Sequence, residues 1–347
     1  MSILKLVLAA LAGAVLATTA SAQSRYRVAW SHYTGWEPWG YAQARGIIQK
    51  WAAKQGIEVE LVLVNDYVES INLYTGGKFD ACAMTNMDAL TIPAVGGVDT
   101  TALIVGSFSN GNDGIVLKQG ASVKDLKGRS VKLVEFSVSH YLLARALQMN
   151  GMSEKDVRTV NTSDADIAAV FGADPKGAAV TWNPPLQQAR NAKGAKLVFD
   201  SSQIPGEIID LMVVKTAAPE PLRKALAGAW YETMALMSGR DKAAADAIDF
   251  MAKASGATAA EFKAQLATTA MFYKAAEAAG FAASADLRKT MEQVRTFTFA
   301  KGLFGKGAKS KDFIGIQFPD GAVLGNAKNV KLRFDASAMK AAADGKL

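Results

Sequence analysis

Glu37, Asp88 and Glu135 each stand where a strand signal gives way to a helix signal, and no arginine stands among them. Free N–H groups and the helix dipole make such starts natural anion sites. A carboxylate placed there fills the anion site, repels a second negative charge in a shielded cleft and attracts a positive one. Trp30, Trp36 and Trp39 crowd into ten residues around Glu37, more aromatic surface than one helix start needs. Their faces would add about 0.5–2 kcal/mol of cation–π attraction. The chemistry implied is capture of a small cation.

Bond-breaking chemistry finds less support. The chain has two histidines, His32 and His140, and one cysteine, Cys82. No HExxH, GxSxG, GxxxxGK[ST] or GxGxxG motif occurs. Two separated histidines and one cysteine make no recognisable zinc site, so neither metal nor cofactor is expected. Ala81, Ala83 and Met84 around Cys82 point to a core thiol rather than a reactive one.

Strand and helix signals alternate from Tyr26 onward. Strands are expected over 26–30, 58–64, 79–84 and 101–105, with helices between them; alternation of this kind predicts βα units and a mostly parallel sheet. A second small sheet is expected from 115–118, 130–134, 178–182, 196–199 and 209–214. Beyond Lys215 the chain turns alanine-rich and helical, at 221–238, 242–254, 260–268, 287–299 and 336–343, and should pack back on the first lobe. The expected division is 23–112 with 216–347 in one lobe and 113–215 in the other. The crossings would lie near Asn110-Gly111-Asn112-Asp113-Gly114 and near Lys215. Two lobes joined in this way suit a cleft that closes by a hinge.

The strand ends that should face this cleft carry the candidate ligand contacts. They are Trp36, Glu37 and Trp39; Asn86 and Asp88; Glu135, Ser137, Ser139 and His140; and Trp182 and Asn183. Glu207 and Asp210 lie near a crossing, with a cap or a pair to Lys215 as the alternative. For Asp88 the alternative is support of a helix start capped by Asn86, for Glu135 a solvated strand end, and for Trp36 and Trp39 the core.

Met1 to Ala22 has one cation, Lys5, an apolar run from Leu6 to Leu16 and an Ala20-Ser21-Ala22 end. These are the parts of a secretory signal peptide cleaved before Gln23, with export to the periplasm. The apolar run is shorter than the ~20 residues of a spanning helix. Net charge is +7, but the basic residues are scattered without aromatic interleaving, and a nucleic-acid partner is not expected.

The chain resembles the nitrate/sulfonate/taurine-type solute-binding proteins of ABC transporters over nearly all of residues 23–347. The resemblance rests on Trp30-Ser-His-Tyr-Thr-Gly-Trp-Glu-Pro-Trp-Gly-Tyr-Ala42, on Phe79-Asp-Ala-Cys-Ala-Met-Thr-Asn-Met-Asp-Ala-Leu90 and on Asp125-Leu-Lys-Gly128. Val134-Glu-Phe-Ser-Val-Ser-His-Tyr141, Thr181-Trp-Asn-Pro-Pro185 and Asp200-Ser-Ser-Gln-Ile-Pro-Gly-Glu-Ile-Ile-Asp210 look like the branch associated with urea (guanidine) carboxylases. The resemblance implies a type II periplasmic binding protein fold, an inter-lobe ligand cleft, a monomer, and partners in an inner-membrane permease and its ATPase. It also implies guanidinium as ligand, whose planar N–H pairs suit carboxylates and whose face stacks on rings. Urea, another small amine or amide, or a sulfonate are the alternatives. From another class, the fold resembles thiamine-pyrimidine synthases, but their cysteine-rich stretch is missing here. A sensor's partner is a further possibility within the binding class.

Overall fold

The computed structural model describes residues 23–347; the expected signal peptide lies outside the described residues. Fourteen strands define the framework: β1 Arg25–Trp30, β2 Glu58–Leu63, β3 Ala81–Thr85, β4 Thr100–Ser109, β5 Asp113–Lys118, β6 Ser130–Leu133, β7 Arg158–Asn161, β8 Ala178–Trp182, β9 Ala195–Asp200, β10 Ile209–Lys215, β11 Thr269–Met271, β12 Gly315–Gln317, β13 Val323–Leu324 and β14 Val330–Phe334. They form two sheets. The nine-stranded sheet runs β13-β12-β14-β4-β10-β3-β1-β2, with β11 added to β4, and the five-stranded sheet runs β7-β6-β8-β5-β9.

Each sheet is parallel at its heart with one reversed strand inserted. β1 pairs parallel with β2 and β3, as the βα alternation predicts, while β10 lies antiparallel between β3 and β4. In the second sheet β6 is parallel to β7 and β8, and β5 lies antiparallel between β8 and β9. The two inserted strands, β10 and β5, are the ones that receive the chain as it changes sheet; β11 and β13 also run antiparallel, at the margin of the first sheet. The first crossing, residues 110–112, falls where expected. The second was expected near Lys215, with 209–214 in the second sheet; β10 instead belongs to the first sheet, so the chain crosses at 201–208. A fully buried run such as Ile-Asp-Leu-Met-Val-Val fits the middle of either sheet, and only its pairing decides. The crossings touch: Ser109 and Ser201 hydroxyls are 2.6 Å apart, and the Gly111 N–H donates to Ser201 Oγ at 2.8 Å.

The C-terminal helices form close to the expected bounds, for example Glu220–Met237 and Lys242–Ala254. Four short strands among them, β11 to β14, escaped the sequence reading; two of them pair directly with β4 and so carry this third of the chain back onto the first sheet. Cys82 is wholly buried on β3, and burial pushes its thiol up to about 12, as a core thiol requires. Among the described residues no helix is long and apolar enough to cross a membrane.

Close approach of helix Glu220–Met237 depends on Gly228. A Cβ there would sit 2.2–2.6 Å from three ring atoms of Trp51, whose Nε1 is tied to Glu232 at 2.7 Å. Because the ring is anchored, Gly228→Ala should destabilise the protein by about 1–3 kcal/mol, the usual cost of overpacking, read as a lower urea midpoint at unchanged slope.

Candidate functional site

Both crossings border a small, nearly closed cavity of about 10 Å³ lined by Tyr33, Trp36, Tyr67, Thr85, Asp113, Val138, Trp182, Ile208 and Asp210. That is far below the usual range for drug-sized ligands, about 300–1,000 Å³, and close to the room of a single water. The first sheet supplies Tyr33 and Trp36 from the turn after β1, Tyr67 from the helix Tyr67–Thr75, Thr85 from the end of β3 and Asp210 from the start of β10. The second supplies Asp113 from the start of β5, Val138 from helix Val138–Met149 and Trp182 from the end of β8.

Aromatic rings make the walls. Tyr33 and Trp36 have ring centres 4.9 Å apart, Trp36 and Tyr67 5.4 Å, and Tyr67 and Trp182 5.4 Å with planes at 77°. Asp88 stands directly behind: its Oδ2 accepts from Tyr67 Oη at 2.7 Å and from Thr85 Oγ1 at 2.8 Å. Asp210 Oδ2 accepts from Ser107 Oγ at 2.5 Å. Asp113 Oδ2 has no hydrogen-bond partner, nor does Trp36 Nε1, while Tyr33 Oη faces Asn112 and Asp210.

No lysine, arginine or histidine lines this cavity. Burial, the largest cause in each case, pushes the Asp88 carboxyl up to about 6, Asp113 to about 7 and Asp210 well above the usual carboxylate range. Neighbouring charge adds to it, from Asp88 on Asp113 and from Asp113 on Asp210. Burial likewise holds Tyr33 and Tyr67 protonated, helped by Asp210 at the first and Asp88 at the second. The result is an aromatic box whose polar groups would be most stable, once ionised, around a positive charge.

Of the sequence-based candidates, the structure brings Trp36, Trp182 and Asp210 into the wall and Asp88 behind it. The others are placed elsewhere. Glu37 is buried against His32, Oε1 to Nδ1 2.7 Å. Trp39 stacks in the core on Trp230 at 4.8 Å. Asn86 accepts from the Ile209 N–H at 3.0 Å and donates to the Glu207 carbonyl, while Thr85, not Asn86, caps the helical turn Asn86–Ala89. Glu135 accepts from Thr159 Oγ1. Ser137 caps helix Val138–Met149, Ser139 Oγ is buried without a partner, and Asn183 donates to Asn112 Oδ1 at 2.5 Å.

His140 pairs with Glu154 at 2.6 Å, and Glu207, a candidate ligand contact with a cap or a pair to Lys215 as the alternative, accepts instead from Tyr141 and from two nitrogens of Arg145 at 2.8 and 2.9 Å. Helix Val138–Met149 and helix Ala285–Ala300 flank a larger open groove of about 520 Å³, lined in part by Arg145, Glu154 and Glu292. Arg145 is answered by Glu207, Glu154 by His140 and Lys301, and Glu292 by Arg295 and Lys311. Charge already satisfied in this way asks for no ligand.

Sequence reasoning missed Tyr33, Tyr67, Thr85, Asp113, Val138 and Ile208. Tyr33 lies in the same turn as Trp36 and the strand-end rule could have reached it. Asp113 it could not: the rule looks at carboxyl ends of parallel strands, whereas a reversed strand offers its amino end to the cleft. Val138 and Ile208 are apolar and carry no signal.

Residues 41–206 match the family model described as NMT1/THI5 like. Among solved structures, the chain is similar to the alkanesulfonate-binding protein SsuA from Xanthomonas axonopodis pv. citri bound to MOPS, at 17% identity over 82% of this chain and 95% of that one, TM-score 0.66. It is similar to the periplasmic aliphatic sulphonate binding protein SsuA from Escherichia coli, at 18% identity over 80% and 88%, TM-score 0.62. It is also similar to the periplasmic nitrate-binding protein NrtA from Synechocystis PCC 6803, at 12% identity over 94% and 99%, TM-score 0.59. No curated protein matches the chain. The fold is the mixed α/β, two-sheet fold of periplasmic binding proteins, as the sequence predicts.

Proposed function

We propose that the chain is a periplasmic solute-binding component of an ABC importer that captures a small, flat, nitrogen-rich cation, guanidinium above others. The observation that carries this reading is the cavity itself: two aspartates in the wall, a third behind it, four aromatic rings and no cationic side chain. The sulfonate- and nitrate-binding proteins of similar fold support the transport role. Their anionic ligands do not transfer, because a sulfonate or nitrate would meet buried carboxylates with no positive partner. An inner-membrane permease and its ATPase are the partners that this role implies. Urea is the second reading, favoured by one observation: Trp36 Nε1 is a donor without a partner, which a carbonyl oxygen could fill and a guanidinium could not.

The test is isothermal titration with guanidinium, urea, taurine and nitrate. Guanidinium should bind tightest and be recovered chemically unchanged; tighter taurine or nitrate removes the cation reading, and a new product removes the binding-only role. Affinity should also depend on pH. A cation needs ionised carboxylates, and Asp88 and Asp113 ionise only near 6 and 7, so guanidinium affinity should rise from pH 5 to 8. A flat profile would mean that neither group meets the ligand's charge.

A further inference from the structure

The three carboxylates at the cavity are not equivalent. Asp88 holds two hydroxyl donors and Asp210 holds one, whereas Asp113 Oδ2 is buried with none, in a residue only 1% exposed. Asp113 is also the first residue of β5, directly after a crossing. Its N–H is shared between Ser109 Oγ at 3.0 Å and Ser201 Oγ at 3.4 Å, one from each crossing. Asp88 and Asp210 belong to the first sheet and Asp113 to the second, so the complete negative set exists only with the two sheets together.

We propose that Asp113 is the residue that makes this site choose a cation over a neutral molecule of the same shape. This rests on the cation reading above. A buried acceptor without a donor is costly, and any N–H on a ligand offsets part of that cost. A neutral amide supplies the hydrogen bond alone. A cation supplies the bond and also cancels repulsion among Asp113, Asp88 and Asp210, so the discrimination is concentrated at Oδ2, which the protein leaves without a donor, the Ser109 hydroxyl only partly offsetting the cost of burying the carboxyl. The other titratable groups in the wall are Tyr33 and Tyr67, both from the first sheet; Val138 and Trp182, the second sheet's further contributions, carry no charge.

The test uses Asp113→Asn, which keeps shape and removes charge, with two isosteric pairs as probes: guanidinium against urea, and acetamidinium against acetamide, titrated at pH 8. The wild-type protein should prefer the cation of each pair. The variant should lose about thirtyfold or more in cation affinity, the scale for removing one partner of a desolvated charge pair, while the neutral members change by no more than about threefold. A second measurement needs no ligand. A carboxyl whose folded pKa is raised gives stability that is present below its unfolded pKa and lost as pH rises through the folded one, here from about 4 to 7. The wild-type melting temperature should therefore fall over that range, and Asp113→Asn should flatten part of the fall.

Retained cation preference in the variant, or equal loss for cation and neutral probes, overturns the assignment. Failure of the cation reading shows instead in the wild type, as preference for urea and acetamide or binding of none of the four. With that result the melting comparison decides Asp113, and an unchanged pH slope overturns its uncompensated charge as well.

Discussion

Asp210→Asn should weaken guanidinium binding by about thirtyfold to several thousandfold, the equivalent of about 2–5 kcal/mol. Asp210 opens β10, lines the cavity and is 1% exposed. Its Oδ2 accepts from Ser107 Oγ, a bond that the asparagine oxygen can keep, so local shape should survive. What disappears is the one wall carboxylate that the first sheet supplies. Without ligand the effect on stability should be of opposite sign. Burial and the Asp113 charge hold the Asp210 carboxyl well above its ordinary range, so ionising it costs folding free energy, and the variant should melt no lower than the wild type at pH 8. Titration calorimetry and a melting curve on the same preparation check both. Unchanged guanidinium affinity would reduce Asp210 to an anchor for Ser107.

Trp39→Ala should act in the reverse pattern, with a loss of about 3–5 kcal/mol of stability and guanidinium affinity per folded molecule essentially unchanged. Trp39 and Trp36 stand three residues apart and face different surroundings. Trp39 is 1% exposed and packs on Trp230 between the first helix and helix Glu220–Met237. Trp36 packs on Tyr33 and Tyr67 at the cavity. Denaturant unfolding of Trp39→Ala, followed by titration under conditions where the variant is folded, separates the roles. A large affinity loss with little loss of stability would put Trp39 at the ligand.

Much of the fold was legible along the chain because its signals are local. Alternating apolar strands and amphipathic helices fix βα units whatever lies beside them; β1, β2 and the helix Lys242–Ala254 formed close to the bounds read, whereas β4, read as 101–105, runs on to Ser109. β7, with the polar sequence Arg-Thr-Val-Asn, and the two-residue β13 gave no periodicity to read, since both are held by neighbours. Asp88 was found for a local reason too, an acid just past the end of an apolar run, whereas Asp210 was named for its place near the expected crossing.

By itself, then, the sequence determined the class of fold and the concentration of tryptophan and acid near strand ends. Residue type, spacing and the 2.0 and 3.6 periodicities are properties of short segments. Tertiary structure alone decided which sheet β10 joins, which acid of several is left without a donor, and which of Trp36 and Trp39 meets the cavity. Each depends on what arrives from distant segments. Thr159 answers Glu135 and Arg145 answers Glu207, whereas Asp113 Oδ2 at the cavity, like Glu37 Oε2 away from it, is buried without a partner. A buried charge becomes a binding group through the partners it lacks, and partners are settled only when the two sheets meet.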